Sequence, residues 1–323
     1  MRVLITGAGG FIGQNLTHAL LREGQLTDRD GQPRPIGEIV ILDTHLPDII
    51  DSRLTPLQDD MTLPHALAKI GARAFDSVFH LAAVLTREAE RQPARAFRTN
   101  VSALATLIET IGSRDVPPRL IFSSSLAIFG GLLPDTVDDD HVRRPQTTYG
   151  AHKAIAEMML ADATRHGIID SRTLRLPIVL VPPGPPTSSV SDRIAAIVRE
   201  ATAGRDVVCP LRNDTRVPVA SVQTIVKNLI NLHNLERAKL HGKRALNQPA
   251  LTVSMDDIAA SVARMHNGNA PGKITFAPDP ELKQIVDGWP KGFISNRAAS
   301  TGTGADRTFD DIVADYLNSR QDK

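Results

Sequence analysis

The chain has 323 residues, 41% of them hydrophobic, with 37 Lys and Arg against 36 Asp and Glu. That balance leaves no basic footprint for nucleic acid, and the length allows a sizeable core with two structural regions. One cysteine, Cys209, excludes an intrachain disulfide framework and fits a reducing compartment, and no apolar run approaches the roughly 20 residues of a membrane span. With no basic-then-apolar leader before the first strand, a cytoplasmic protein without membrane or nucleic-acid partners is expected.

Val3, Leu4 and Ile5 form a buried strand that Gly7 ends abruptly. Gly7, Gly10 and Gly13 follow at intervals of three, and Ile12, Leu16 and Leu20 then keep helical spacing up to Glu23 and Gly24. Strand, glycine turn and helix form a cradle for a dinucleotide pyrophosphate. The first glycine makes the turn, the second lets the backbone approach the phosphates, and the third lets helix pack on strand. Phe11 and Ile12 lie in the same turn. Residues 25–37 are polar, with two glycines and two prolines, and read as a surface insertion. The second strand, Glu38 to Leu42, ends in Asp43, 30 residues beyond Gly13 where about 20 is usual, the insertion supplying the excess. An acid there accepts ribose hydroxyls and repels a 2′-phosphate, which favours NAD over NADP. Asp60, before Met61, is a candidate for the adenine end.

Ser77 to Ala83 reads as the next strand, closing on Leu81, Ala82 and Ala83, small enough at the end for backbone to lie against a cofactor. Helical spacing joins Phe97, Val101, Leu104, Ile108 and Ile111. Arg119 to Ser123 is another buried strand, running into Ser124 and Ser125. The stretch 151–166 is apolar on more than one face, the pattern of a helix lying under a second layer or against a partner subunit. Strands and helices alternate to about residue 180, as in a doubly wound α/β sheet that is parallel and covered on both faces. Beyond Pro182 the texture changes. Residues 181–186 cannot be helix, Thr187 to Ser191 is polar, and shorter helices are expected at 192–203, 221–235, 255–266 and 306–320. In the last, Phe309, Ile312, Val313, Tyr316 and Leu317 share one face. The division read here is a cofactor-binding domain over 1–180, with segments around 205–250 returning to it, and a smaller α+β substrate cap over 181–323.

The chemistry centres on Ser125, Tyr149 and Lys153. Tyr149 and Lys153 stand four apart at the start of a helix and share a face. A phenol titrates near pH 10, too high for a base, but an ammonium one turn away favours the phenolate. Ser125, at the carboxyl end of a parallel strand, can hold a substrate oxygen beside it. Asp138-Asp139-Asp140 reads as a solvated loop run without metal-ligand spacing, and no metal site is expected. Cys209 reads as a small buried apolar residue. Trp289 belongs either to the cap core or to a pocket wall.

The set TGAGGFIG, HLAA, FSSSLAIFGG and YGAHK, in this order and spacing, resembles the extended short-chain dehydrogenase/reductase family, over about residues 1–250. That resemblance implies a Rossmann-type domain binding NAD, with Tyr149 as acid/base and Lys153 on the nicotinamide ribose. It also implies that Ser125 faces the substrate, that Ser123 and Ser124 line the cofactor, and that Pro177 and Val179 offer backbone contacts to the nicotinamide amide. Asn100 joins the cofactor set. The stretches HLAAVLTREAE, QTTYGAHKAIAEMMLAD and DGWPKGF are similar to the D-erythronate dehydrogenase branch. This implies NAD-dependent oxidation of a small sugar acid at C2 to its 2-oxo acid, with a nucleotide-sugar 4-epimerase as the alternative. Thr86 and Ser189 are candidates for substrate hydroxyls, and Arg216 for the substrate carboxylate. The branch has small residues near Arg87 and Arg193, where this chain places arginines. A homodimer is expected through helices near 97–113 and 151–166, as a four-helix bundle.

Overall fold

The computed structural model describes residues 1–112, 116–182, 189–265 and 270–321. Its centre is a seven-stranded sheet, numbered here in chain order: β1 (Arg2–Thr6), β2 (Glu38–Asp43), β3 (Leu54–Gln58), β4 (Ser77–His80), β5 (Arg119–Ser125), β6 (Asp170–Leu176) and β7 (Ala245–Asn247). Across the sheet they run β7-β6-β5-β4-β1-β2-β3, every pair parallel. Strands buried on both faces carry continuous apolar runs rather than alternation, as Val3, Leu4 and Ile5 do, all fully buried. Strand order reverses between β1 and its neighbours, so a crevice opens at their carboxyl ends.

Side chains alternate along each strand and divide between two cores. Val3, Ile5, Ile39, Ile41, Phe79 and Ile121 pack with the helices Phe11–Glu23 and Val222–Asn234. Leu4, Val40, Leu42, Val78 and Leu120 face the other side, against Pro64–Gly71, Ala103–Gly112 and Thr148–Arg165. Each fully buried Leu or Ile contributes roughly 1.5–3 kcal/mol, so the two layers fix the sheet that carries the site. The first helix stops where expected: Gly24, at φ 67°, closes its carboxyl end by donating to the Leu20 carbonyl.

The cap has its own small sheet of Ile178–Leu180, Arg216–Ser221 and Leu251–Ser254. Helices Val190–Thr202, Met255–Arg264 and Phe309–Gln321 pack around it. Phe309, Ile312, Val313, Tyr316 and Leu317 share its core with the buried Cys209. A capping box starts one of these helices: Ser254 Oγ accepts from the Asp257 N–H, and the Asp257 carboxylate accepts from the Ser254 N–H. The chain leaves the cap twice, for helix Val222–Asn234 and for β7, so cap and sheet are interleaved.

Four local expectations change. Residues 25–37 hold a hairpin, Gln25–Thr27 paired with Pro33–Pro35, and Leu26 and Ile36 are buried beneath it, so the insertion also covers core. β4 ends at His80, and Leu81–Ala83 leaves the sheet as a loop. The helix expected from Phe97 is broken by a π-helical turn, Arg98–Ser102, between Pro93–Phe97 and Ala103–Gly112. The Asp138–Asp140 run is no solvated loop. Asp139 is buried and accepts from the Asn247 N–H at 2.6 Å and Ser295 Oγ at 2.8 Å, while Asp140 pairs with Lys243 and Arg297. Three acids in a row pin the loop after β5 to the end of the cap. Among the described residues no helix is long and apolar enough to cross a membrane.

Candidate active site

A cleft of about 730 Å³ lies at the carboxyl ends of β1, β2, β4 and β5, closed on the far side by the cap. Its first wall is the glycine turn. Gly7 has φ +75°, and a Cβ there would stand 2.6 Å from the Ala82 backbone nitrogen, so only glycine lets the turn meet the loop after β4. A Cβ on Gly13 would lie 2.2 Å from the Gly7 carbonyl oxygen, which is why the helix sits so close upon its strand. Gly10, Phe11 and Ile12 complete this wall at the helix N-terminus, where unpaired N–H groups and the positive dipole end favour an anion. Asp43 lines the cleft beside it, its carboxylate held by the N–H groups of Gly9 at 2.9 Å and His45 at 3.1 Å. Asp60 and Met61 extend the same end. A bare backbone cradle with an oriented carboxylate beyond it fits a pyrophosphate and an unphosphorylated adenosine ribose.

Lys153 is buried, and its ammonium donates to the Ser123 carbonyl at 2.7 Å and sits 4.4 Å from the centre of the Phe122 ring. It lies 5.6 Å from the centre of the Tyr149 ring. Burial pushes the Tyr149 phenol up to about 12, with the hydrogen bond to Ser125 pulling the other way. The same burial pushes Lys153 down to about 7, against the Glu157 carboxylate one turn on, which raises it. The amine is turned toward a carbonyl and a ring face, and desolvation opposes charge on both groups. Ser125 Oγ accepts from the Ala127 N–H at 3.1 Å, which leaves its proton free to donate. Ser124, by contrast, spends its hydroxyl on buried Glu157 at 2.6 Å, and Glu157 also takes Arg175 and Arg143.

The loop after β4 leads into helix Thr86–Arg91, whose Glu90 carboxylate accepts from Thr148 at the start of the tyrosine helix. Tyr149 packs against Val84, Ala89 and Ala96. On the cap side, Ser189 caps helix Val190–Thr202 by accepting from the Asp192 N–H at 3.1 Å. Buried Arg199 bonds the Asp192 carboxylate at 2.7 Å and the Pro182 carbonyl at 2.9 Å.

Most of the sequence candidates meet in this one cleft: Gly7, Gly10, Phe11, Ile12, Gly13, Asp43, Asp60, Met61, Leu81, Ala82, Ala83, Thr86, Ser123, Ser125, Tyr149, Lys153, Pro177, Val179 and Ser189. Two do not line it. Asn100 sits behind the wall, where its carboxamide accepts from the Val84 N–H at 2.7 Å and donates to the Val84 carbonyl at 2.9 Å. Arg216 is exposed and opens its strand opposite Ser254, whereas the other end of that strand, Ser221, pairs with Leu180. Arg193 is taken by Asp279 at 2.7 Å. Trp289 does both of its possible jobs, lining the cleft while packing on the cap core. Sequence reading passed over Arg95, Arg98 and Asp192, which also line the cleft. They belong to helix starts and an irregular turn that no local spacing marks.

The model of the NAD dependent epimerase/dehydratase family matches residues 3–228. The chain belongs to that family. As such it is an NAD-dependent oxidoreductase, in keeping with the glycine cradle and Asp43. Over 318 residues, 98% of both chains, it is 34% identical to a D-erythronate dehydrogenase of Cupriavidus necator, and over 319 residues 30% identical to one of Haemophilus influenzae, covering 98% and 99%. Among solved structures, the nucleoside-diphosphate-sugar epimerase from Agrobacterium tumefaciens superposes with TM-score 0.90 at 28% identity, covering 98% and 94%. A holo GalE-like L-threonine dehydrogenase from Cupriavidus necator gives TM-score 0.86 at 25% identity over 99% of each chain.

Proposed function

We propose that this enzyme oxidises a small sugar acid of the D-erythronate type at C2, giving the 2-oxo acid. The observation that carries the reading is the convergence of Tyr149, Ser125 and Lys153 on the glycine-lined cleft, in a chain whose full-length relatives are D-erythronate dehydrogenases. Bound NAD supplies the acceptor for the hydride that leaves C2. The glycine turn and helix N-terminus would hold its pyrophosphate, Asp43 its adenosine ribose, and Lys153 the nicotinamide ribose. The Ser125 hydroxyl, which also bonds the Tyr149 phenol, holds the substrate oxygen, and Tyr149 removes the hydroxyl proton as the C2–H electron pair departs. Thr86 and Ser189 bind the remaining hydroxyls. Because burial lifts the phenol, oxidation accelerates with rising pH through the neutral range. The test is NADH formation on mixing enzyme, NAD and a panel of three- to six-carbon aldonates. Turnover fastest with a four-carbon acid supports the proposal, and none with any acid rejects it.

The Agrobacterium neighbour favours a second reading, a nucleotide-sugar 4-epimerase that uses the same tyrosine. Epimerisation of a UDP-sugar without net NADH would select it. We also propose a homodimer. Phe97 and Met158 are exposed apolar residues on neighbouring helical segments, with Ile155 and Met159 half-exposed alongside. Light scattering at micromolar concentration should give twice the chain mass, and a monomer would reject this.

A further inference from the structure

Toward β2 the cleft is lined by the carboxylates Asp43, Asp59 and Asp60, and elsewhere by Glu88 and Asp192, which pair with Arg95 and Arg199; the cationic side chains lining it are Arg87, Arg95, Arg98 and Lys153. On the cap side the described lining residues Pro182, Ser189, Val190, Ser191, Asp192 and Trp289 add no cation. Two of these four cations are committed, and a third is exposed. Lys153 is buried on the Ser123 carbonyl. Arg95 is neutralised by Glu88 at 2.7 Å. Arg98 is exposed on the π-helical turn.

Arg87 differs from all three. It is half-buried, follows buried Thr86 in the first turn of a helix, and makes no hydrogen bond or ion pair among the described residues. That helix is docked on the turn that carries Tyr149, through Glu90 to Thr148 and through Ala89 to the ring. Arg216, the first candidate from sequence, stands outside the cleft. A half-buried guanidinium that lines the same cleft as the phenol, with no partner among the described residues, calls for an anion, and its planar fork suits a carboxylate.

We infer that Arg87 takes the carboxylate of the substrate and sets the preference for acids over neutral polyols. The inference rests on the sugar-acid reading above. Its test is steady-state kinetics of Arg87→Met, which keeps the apolar stem, and of Arg87→Lys. Both are assayed with D-erythronate, with erythritol as a neutral competitor, and thermal midpoints and NAD affinity serve as checks on fold and cofactor site. Loss of one charge-assisted contact predicts a KM for D-erythronate about 30-fold higher in Arg87→Met, with kcat within about threefold. The inhibition constant of erythritol should stay unchanged, and Arg87→Lys should recover part of the loss. If Arg87→Met does not fold, the intermediate KM of Arg87→Lys decides. Wild-type turnover with an unchanged KM in the variants, or an equal weakening of erythritol, overturns the assignment to Arg87 alone. A wild-type enzyme inactive on every acid overturns the reading and the inference together.

Discussion

The two ends of the central sheet both bury ionisable groups and treat them in opposite ways. At the amino end, Arg172 is fully buried and donates to the carbonyls of Leu232, His233 and Leu235 and to Asp170. Arg119 donates to the His233 and Thr27 carbonyls, and Arg244 pairs with Asp170. Positive charge here meets the last carbonyls of helix Val222–Asn234, where the dipole favours it. His233 completes the group, pushed by burial down to about 3, with Ser77 and Asn234 on its two nitrogens. At the carboxyl end, buried Lys153 and half-buried Tyr149 are thinly partnered, one on a single carbonyl and one against Ser125. Cations engaged by several acceptors hold the fold together. A phenol and an amine displaced from their ordinary titration and facing a cleft are available for chemistry.

Substitutions should separate the two ends. The largest effect is expected from Tyr149→Phe, which removes the proposed base and should cut kcat by about a thousandfold while leaving the thermal midpoint nearly unchanged. Activity near the wild-type level would dissolve the contrast from the catalytic side. Next comes Arg172→Leu, which leaves Asp170 short of a partner and strips the Leu232 and Leu235 carbonyls of this donor. Urea unfolding should register a loss of about 3–5 kcal/mol, with kcat per folded molecule unaltered. An unchanged midpoint would deny the amino-end cluster its structural role.

The smallest effect sharpens the comparison through pH. Lys153 titrates near 10.5 in an unfolded chain and near 7 in the fold. Between those values the unfolded chain binds more protons, so stability climbs with pH across that window, and the cost of burial is full below it. Lys153→Met removes that cost. Its thermal midpoint should exceed the wild type's most at about pH 6 and converge with it toward the upper end of the window. A constant difference at all pH values would mean that the lysine is not desolvated.

What could be read from the sequence was local. Gly7, Gly10 and Gly13 declare themselves because a turn, a close approach and a helix start must follow one another within a few residues. Tyr149 and Lys153 share a face because helical spacing requires it. Other features needed the third dimension. Arg216 reads as a carboxylate ligand, and only the fold shows that it lies outside the residues lining the cleft. Asp139 looked solvated until Asn247 and Ser295, more than a hundred residues away, closed on it. The π-helical turn has no periodic signature, and the depressed titration of Lys153 depends on burial by elements distant in the chain.

The central claim is that this cleft removes hydride from C2 of a sugar acid under the action of Tyr149. Single turnover of D-erythronate carrying deuterium only at C2, with NAD and the wild-type enzyme, followed by mass analysis of the reduced cofactor, tests it most directly. The account predicts that the deuterium appears in the NADH, and that Tyr149→Phe transfers it about a thousandfold more slowly. NADH that forms free of deuterium, or forms as quickly in Tyr149→Phe, would contradict it.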